Sequence, residues 1–497
     1  MIRSEVENTL CTIESAEGSL QVERNRLLWR LYTEDSKTSL DSIDAKLAAV
    51  RNNDAVFTKI KYLIDNIENV DDPVLRRRIE LNYSMHLRAA IDKNPEIARL
   101  QNKLEAEVEY LKDLPPNPKI ELRYESDRNL RRRQIEFNAI AGEKKEHDLL
   151  KLMQLRNQRA REHGFANYAD YALKTSEVDA VMLLKILNDI VVATEESYSK
   201  LVVEARNYLD VDNVELFDWP YFLQKKLCPP SNYFAKEQGL PRIHDVVRSF
   251  GVREEELGIS FHLVDQMYAG GCCVCVDIPH DIRVMVRPGH GFDWYALLLH
   301  ELGHGLLARY NQQCLILQKE SITFDETIAT LFETIAHDRQ FLSGSIGMPE
   351  SEINQFEADY QKRQLYELRR LISSFMFEYE AYLNLDQDLR QLADKVNEKY
   401  RHIPGSRSAL WADDSFRYAD PMYIHNYVLA WVITEQMLEC LRGRFGGFVG
   451  STDAFDHLRD YCFAPGGSIS WQDKVKNCIG QEIDANILIE KLNKTYQ

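Results

Sequence analysis

The sequence predicts a mainly α-helical protein with one small β-sheet, and three observations carry that expectation. Apolar residues recur at helical spacing through most of the 497 residues. Only the stretch from about Gly258 to Gly291 shifts to β-branched residues and alternation, as in Asp281 to Gly289 (DIRVMVRPG). Directly after it, Asp293 to Tyr310 (DWYALLLHELGHGLLARY) reads as a helix that contains the pattern H-E-x-x-H.

Taken in order, the chain up to about Leu114 is helix after helix. Asn94-Pro95 opens one expected to be long, and Pro115, Pro116 and Pro118 end it. The first residues, MIRSEVENTLCTIESAEG, carry early acids and no continuous apolar segment, so no secretory signal is expected. No run approaches the roughly 20 apolar residues of a membrane helix, and a cytoplasmic location is the expectation. A second helical series begins near Ser126. It includes His147 to Gly164, with the glycine where a C-cap belongs, and Phe165 to Leu173 turns into another helix. Phe217, Trp219, Tyr221 and Phe222 read as core. Glycine, proline and polar residues between Cys228 and Arg242 mark a candidate boundary.

Charge and cysteines exclude other classes. A net charge of −17 opposes nucleic acid, and the basic runs Arg76 to Arg78 and Arg131 to Arg133 are interleaved with acids, as solvated helix faces would be. Nine cysteines, thinly spread except for Cys272, Cys273 and Cys275, suit reduced thiols. Those three fall in an apparent buried strand, where packing is the plainer reading than metal binding.

The H-E-x-x-H helix carries the chemistry. His300 and His304 are four residues apart and share a helical face, so one metal ion can take both. Glu301 projects beside that ion, placed to act as general base toward an attacking water. A catalytic zinc site needs a third protein ligand and an open position. Leu307 and Tyr310 replace the glycine and histidine with which a metzincin would continue, which excludes that class. The third ligand is therefore sought in Ser321 to Leu342, a second helical pattern with acids at Asp325, Glu326 and Glu333. Glu326 is the expected ligand, and Glu333, two turns further on the same face, is expected to orient a ligand. Gly303 and Gly305 each cost about 1 kcal/mol relative to alanine inside a helix, so something should approach the backbone there. The bland alternative is a buried helix whose histidines only hydrogen-bond in the core.

Further candidates are weaker. An edge strand beside the metal helix would let an extended peptide add by main-chain hydrogen bonds. His290 and Arg287, where that strand leaves, are candidate substrate contacts, with loop polarity the plainer account. Tyr423 and Tyr427 are four apart and expected on one helical face, where a hydroxyl could stabilise a developing oxyanion; filling core is the alternative.

Lined up together, these stretches resemble the thimet oligopeptidase and oligoendopeptidase F family of zinc peptidases, of the gluzincin type, with a more distant likeness to angiotensin-converting enzyme. RNQRAREHGFANYADY, GGCCV followed by DIRVMV, DWYALLLHELGHG, FDETIATLFE and PMYIHNYVLA carry it, from about Leu149 to Tyr427. The resemblance implies a prolate, two-lobed helical metallopeptidase with a deep central channel and the small sheet beside the zinc helix. Residues 1–230 would form one wall of the channel and residues 231–497 the catalytic region, as one cooperative unit. It implies one Zn2+ per chain on His300, His304 and Glu326, water activated by Glu301, and Tyr427 with Tyr423 at the oxyanion. Where that family carries a histidine about ten residues before the last tyrosine, this sequence has Ser415-Phe416-Arg417. Arg417, His402 or His425 are the candidates to replace it, and Arg417 could also clamp a substrate carboxylate.

The expected function is zinc-dependent hydrolysis of peptide bonds in short unfolded peptides, with no nucleic-acid or membrane partner and an open oligomeric state. A dedicated processing peptidase, a carboxypeptidase and a non-catalytic zinc-containing peptide-binding protein are the alternatives.

Overall fold

The helices and the single sheet form much as the periodicity requires. The computed structural model describes residues 3–34, 37–92, 94–111, 114, 116–265 and 270–496. Pro115, expected to help end a helix, lies outside them. The elements that position functional residues are helices α1 (Arg3–Thr33), α2 (Pro73–Asp92), α3 (Pro95–Ala106), α4 (Arg128–Glu162), α5 (Tyr168–Thr175), α6 (Phe292–Arg309), α7 (Ile322–Glu333), α8 (Glu350–Leu383) and α9 (His425–Phe445), with strands β1 (Ile259–Leu263), β2 (Gly271–Asp277) and β3 (Asp281–Val286). No helix among the described residues is long and apolar enough to cross a membrane.

Helix α3 starts as its sequence dictates, with Asn94 accepting the Glu96 N–H at 3.0 Å and Pro95 in the first turn. It is shorter than expected. Glu107 takes a left-handed conformation (φ 53°) and ends it, with its carboxylate bound to the buried ammonium of Lys145 on α4. The basic runs also depart from expectation. Arg131 is 2% exposed and meets Asp218 at 2.9 Å, and Arg78 reaches Glu14 at 2.8 Å. Periodicity shows which way a charge faces on its own helix; it does not show the distant carboxylate that pairs with it.

The sheet has the order β1-β3-β2, with β1 parallel and β2 antiparallel to β3. The pleat splits its side chains between two helices. Val274, Val276 and Met285 pack around Trp29 of α1, joined by Cys272. Gly271, Cys273 and Cys275 take the opposite face, against α6. The three thiols are free, and burial pushes Cys272 up to about 12.

Gly303 explains itself in the packing of α6 on α7. A Cβ there would stand 2.7 Å from Ala329 Cα and 2.8 Å from the Ile328 carbonyl oxygen, so the helices meet backbone to backbone. Gly303→Ala must push them apart, and is expected to cost about 1–3 kcal/mol by overpacking. A thermal midpoint equal to that of the wild type would refute the close crossing.

The chain divides into two compact units, each drawn from three segments: Met1–Ala90, Pro229–Ile353 and Ala430–Asp484 in the first, and Ile91–Cys228, Asn354–Leu429 and Ala485–Gln497 in the second. One crossing, at Cys228, falls at the edge of the candidate boundary. The first ninety residues group with the sheet, α6 and α7 rather than with the helices that follow them.

Candidate metal centre

Within the first unit, α6 and α7 cross antiparallel, and the crossing brings imidazoles against carboxylates. His300 Nδ1 lies 3.0 Å from Glu333 Oε2, and His304 Nδ1 lies 2.7 Å from Asp325 Oδ1. With each Nδ1 engaged, Nε2 is the nitrogen left for a metal. His300 Nε2 is 3.5 Å from Glu326 Oε2. One ligand atom from each of His300, His304 and Glu326 lies within 4.8 Å of the others, the group among the described residues suited to hold a metal ion. Two ligands about 2.1 Å from a tetrahedral ion are roughly 3.4 Å apart, so these donors fit zinc with little movement.

The electrostatics fit a cation as well. Burial alone would depress His300, but the carboxylates of Glu326 and Glu333 outweigh it and raise its proton affinity well above the ordinary range. His304 follows the same pattern beside Asp325, reaching about 9. Carboxylates that stabilise an imidazolium at this spot also stabilise a dication that displaces its proton.

Glu301 is different. It is 5% exposed, and its Oε2 has no hydrogen-bond partner among the described residues. Burial, more than the opposing pull of His304 and His300, raises its pKa. Its other oxygen is pressed against β2, where a Cβ on Gly271 would come within 2.7 Å of Oε1. A buried carboxylate with an unmet oxygen costs on the order of 1–3 kcal/mol.

The remaining sequence candidates sort differently. Glu333 stands on His300 Nδ1, as a residue orienting a ligand would. Asp325, expected only as a rival ligand, is its counterpart on His304; this depends on the antiparallel crossing, which no local spacing announces. His290 and Arg287 are exposed in the loop before α6. They are separated from His300 by roughly 13 Å of helix and lie outside the cluster.

Tyr423, Tyr427 and Arg417 belong to the second unit. Tyr427 is on α9, but Tyr423 precedes that helix, because Met422 at φ 59° makes a turn after Pro421. The two rings are nonetheless 5.4 Å apart. Arg417 is turned inward, 7% exposed, with Nε donating to the Trp411 carbonyl at 2.8 Å, Asp414 at 3.3 Å and the Phe377 ring at 4.3 Å. His402 pairs with Glu195 at 2.8 Å. His425 is buried against Phe375, and burial lowers its pKa to about 4.

No protein-family model and no curated protein matches this sequence. Solved structures do. The M32 carboxypeptidase from Deinococcus radiodurans R1 matches with a TM-score of 0.70 over 98% of this chain and 99% of that one, at 14% sequence identity. BsuCP matches with a TM-score of 0.64 over 99% of each chain, at 13% identity. At such identities the likeness shows the fold: this chain has the mainly α-helical fold of those proteins.

Proposed function

We propose that the protein is a zinc-dependent peptidase acting on short unfolded peptides, and the observation that carries this is the buried Glu301, its Oε2 unmet among the described residues, beside the convergent donors of His300, His304 and Glu326. Zinc held by those three residues would supply Lewis acidity. Glu333 and Asp325 fix the two imidazoles, so both Nε2 atoms face one point. Glu301 takes the proton from the attacking water and can return it to the leaving amine. β2 is an edge strand whose Gly271 end touches Glu301, which suits it to align an extended peptide. Tyr427, with Tyr423, donates to the oxyanion. Arg417, with Nε and one terminal nitrogen engaged inside its own unit, is assigned to holding residues 411–418 rather than to substrate.

The sequence motifs favour an oligoendopeptidase. The end-to-end likeness to an M32 carboxypeptidase favours removal of C-terminal residues as a second reading. One experiment tests both. A mixed peptide library, incubated with and without a chelator, is expected to yield products only when metal is retained. Stepwise loss of C-terminal residues, abolished by C-terminal amidation, selects the carboxypeptidase; internal cuts indifferent to amidation select the endopeptidase. Binding without any product would refute the enzyme and leave a peptide-binding protein.

A further inference from the structure

We propose that Arg156 is a positioning residue for the tyrosine-bearing segment 416–427: its guanidinium, fixed on the carbonyl oxygens of Arg417 and Tyr418, sets where Tyr427 presents its hydroxyl. The inference rests on the reading of Tyr427 as an oxyanion donor. It accounts for a sequence block, Arg156 to Tyr171, that the proposed chemistry does not otherwise use.

Arg156 projects from α4 and is 2% exposed. One terminal nitrogen donates to the Arg417 carbonyl at 2.8 Å and the other to the Tyr418 carbonyl at 2.7 Å. Burying a guanidinium costs several kcal/mol, usually offset by a carboxylate. Here the Asp92 and Glu378 carboxylates act on the charge from nearby, while both terminal nitrogens donate to neutral carbonyls of one segment, a use that fixes backbone. The side chain is held in turn: its guanidinium lies 5.6 Å over the Tyr168 ring, and the Tyr168 and Tyr171 hydroxyls both bind Asp92, at 2.8 and 2.7 Å. Asn157, the next residue, accepts the Tyr168 N–H at 2.8 Å and donates to the Tyr382 carbonyl of α8 at 3.0 Å. Arg156 is thus a rigid fork anchored in α4, α5 and α8.

The segment it grips needs such a hold. After the short helix Phe416–Ala419 the chain turns through Met422 at φ 59°, a left-handed conformation that costs an L-residue about 1–2 kcal/mol. Glu378, 1% exposed, accepts the Met422 N–H, and Asn426 donates to the Tyr423 carbonyl at 2.7 Å from the far side. The strained turn is pinned upstream by Arg156 and downstream by Asn426. Tyr423 and Tyr427 are half-buried just beyond it, ring against ring. Release of the upstream carbonyls would let the turn relax and the hydroxyls drift, although Arg156 itself touches no substrate.

A double-mutant cycle tests this, using R156K, Y427F and the double variant, each checked for thermal unfolding. Tyr427→Phe is expected to lower kcat about a hundredfold. Arg156→Lys keeps the charge but not the fork, and is expected to lower kcat about tenfold or more with KM nearly unchanged. The double variant should be no slower than Y427F alone, because the lysine then misplaces a hydroxyl already removed. Amide hydrogen exchange should quicken within 416–427 and stay unchanged in α6 and α7. Multiplicative losses, an unchanged kcat in R156K, or exchange that rises uniformly would overturn the inference while leaving the tyrosine role standing. Wild-type turnover by Y427F would overturn the tyrosine role and the inference together. If R156K does not fold, R156Q, which keeps an amide donor for one carbonyl, takes its place in the same cycle.

Discussion

Replacing Glu301 by Gln is expected to lower kcat by about 10²–10⁴-fold, the range of a general acid–base group, while zinc stays bound in full. The shape is conserved and the metal donors come from three other residues, so the carboxamide removes only the capacity to take a proton. Stability gives an independent readout. In the metal-free protein, burial raises the pKa of Glu301 above its unfolded value. Its contribution to stability is therefore fully present below the ordinary glutamate pKa and is lost as pH rises through the folded one. The Gln variant lacks that loss, and its metal-free form should unfold at a temperature equal to or above the wild type near neutral pH. Peptide turnover near the wild-type rate, with zinc content measured in the same sample, would end the general-base assignment.

How much of the fold and site is legible in the sequence follows from the range of each interaction. The H-E-x-x-H helix and its glycines are legible because helical geometry fixes the relation of residues three to five apart, and the close approach expected at Gly303 is met by the Ala329 backbone. The sheet is legible because its composition differs from everything around it. Asp325 beside His304 is not, since that pairing depends on the crossing of two helices rather than on either alone. Tyr423 is expected on a helix that in fact begins after it, because the spacing fits and the left-handed Met422 has no local signature; the residue is not a glycine. Arg417 draws notice by its distance from Tyr427, whereas its direction is set by Trp411, Asp414 and Phe377. The grouping of residues 1–90 with the metal helices is equally hidden, because packing such as that of Trp29 on Val274 joins positions with no shared pattern.

The second large effect concerns the third ligand: Glu326→Ala is expected to lose zinc, whereas Glu333→Gln and Asp325→Asn should only weaken it. Binding energies of roughly 10–16 kcal/mol shared among four ligands give about 3 kcal/mol each, so deleting one should cost more than a hundredfold in affinity. Groups that act by orienting a histidine are worth about 10–100-fold. The geometry assigns the residues to these classes, because Glu326 faces the Nε2 side of His300 at 3.5 Å while Glu333 and Asp325 face Nδ1 atoms at 3.0 and 2.7 Å. Zinc titrations of the three variants separate the classes by rank. In Glu326→Ala the two imidazoles remain, still held by their acids, so residual binding should be weak and easily stripped by a mild chelator. If that variant keeps full, tight occupancy and Asp325→Asn or Glu333→Gln does not, the ligand and the orienting acid have been exchanged. Glu301 would then stand beside a differently placed ion, and its unmet oxygen would need another explanation.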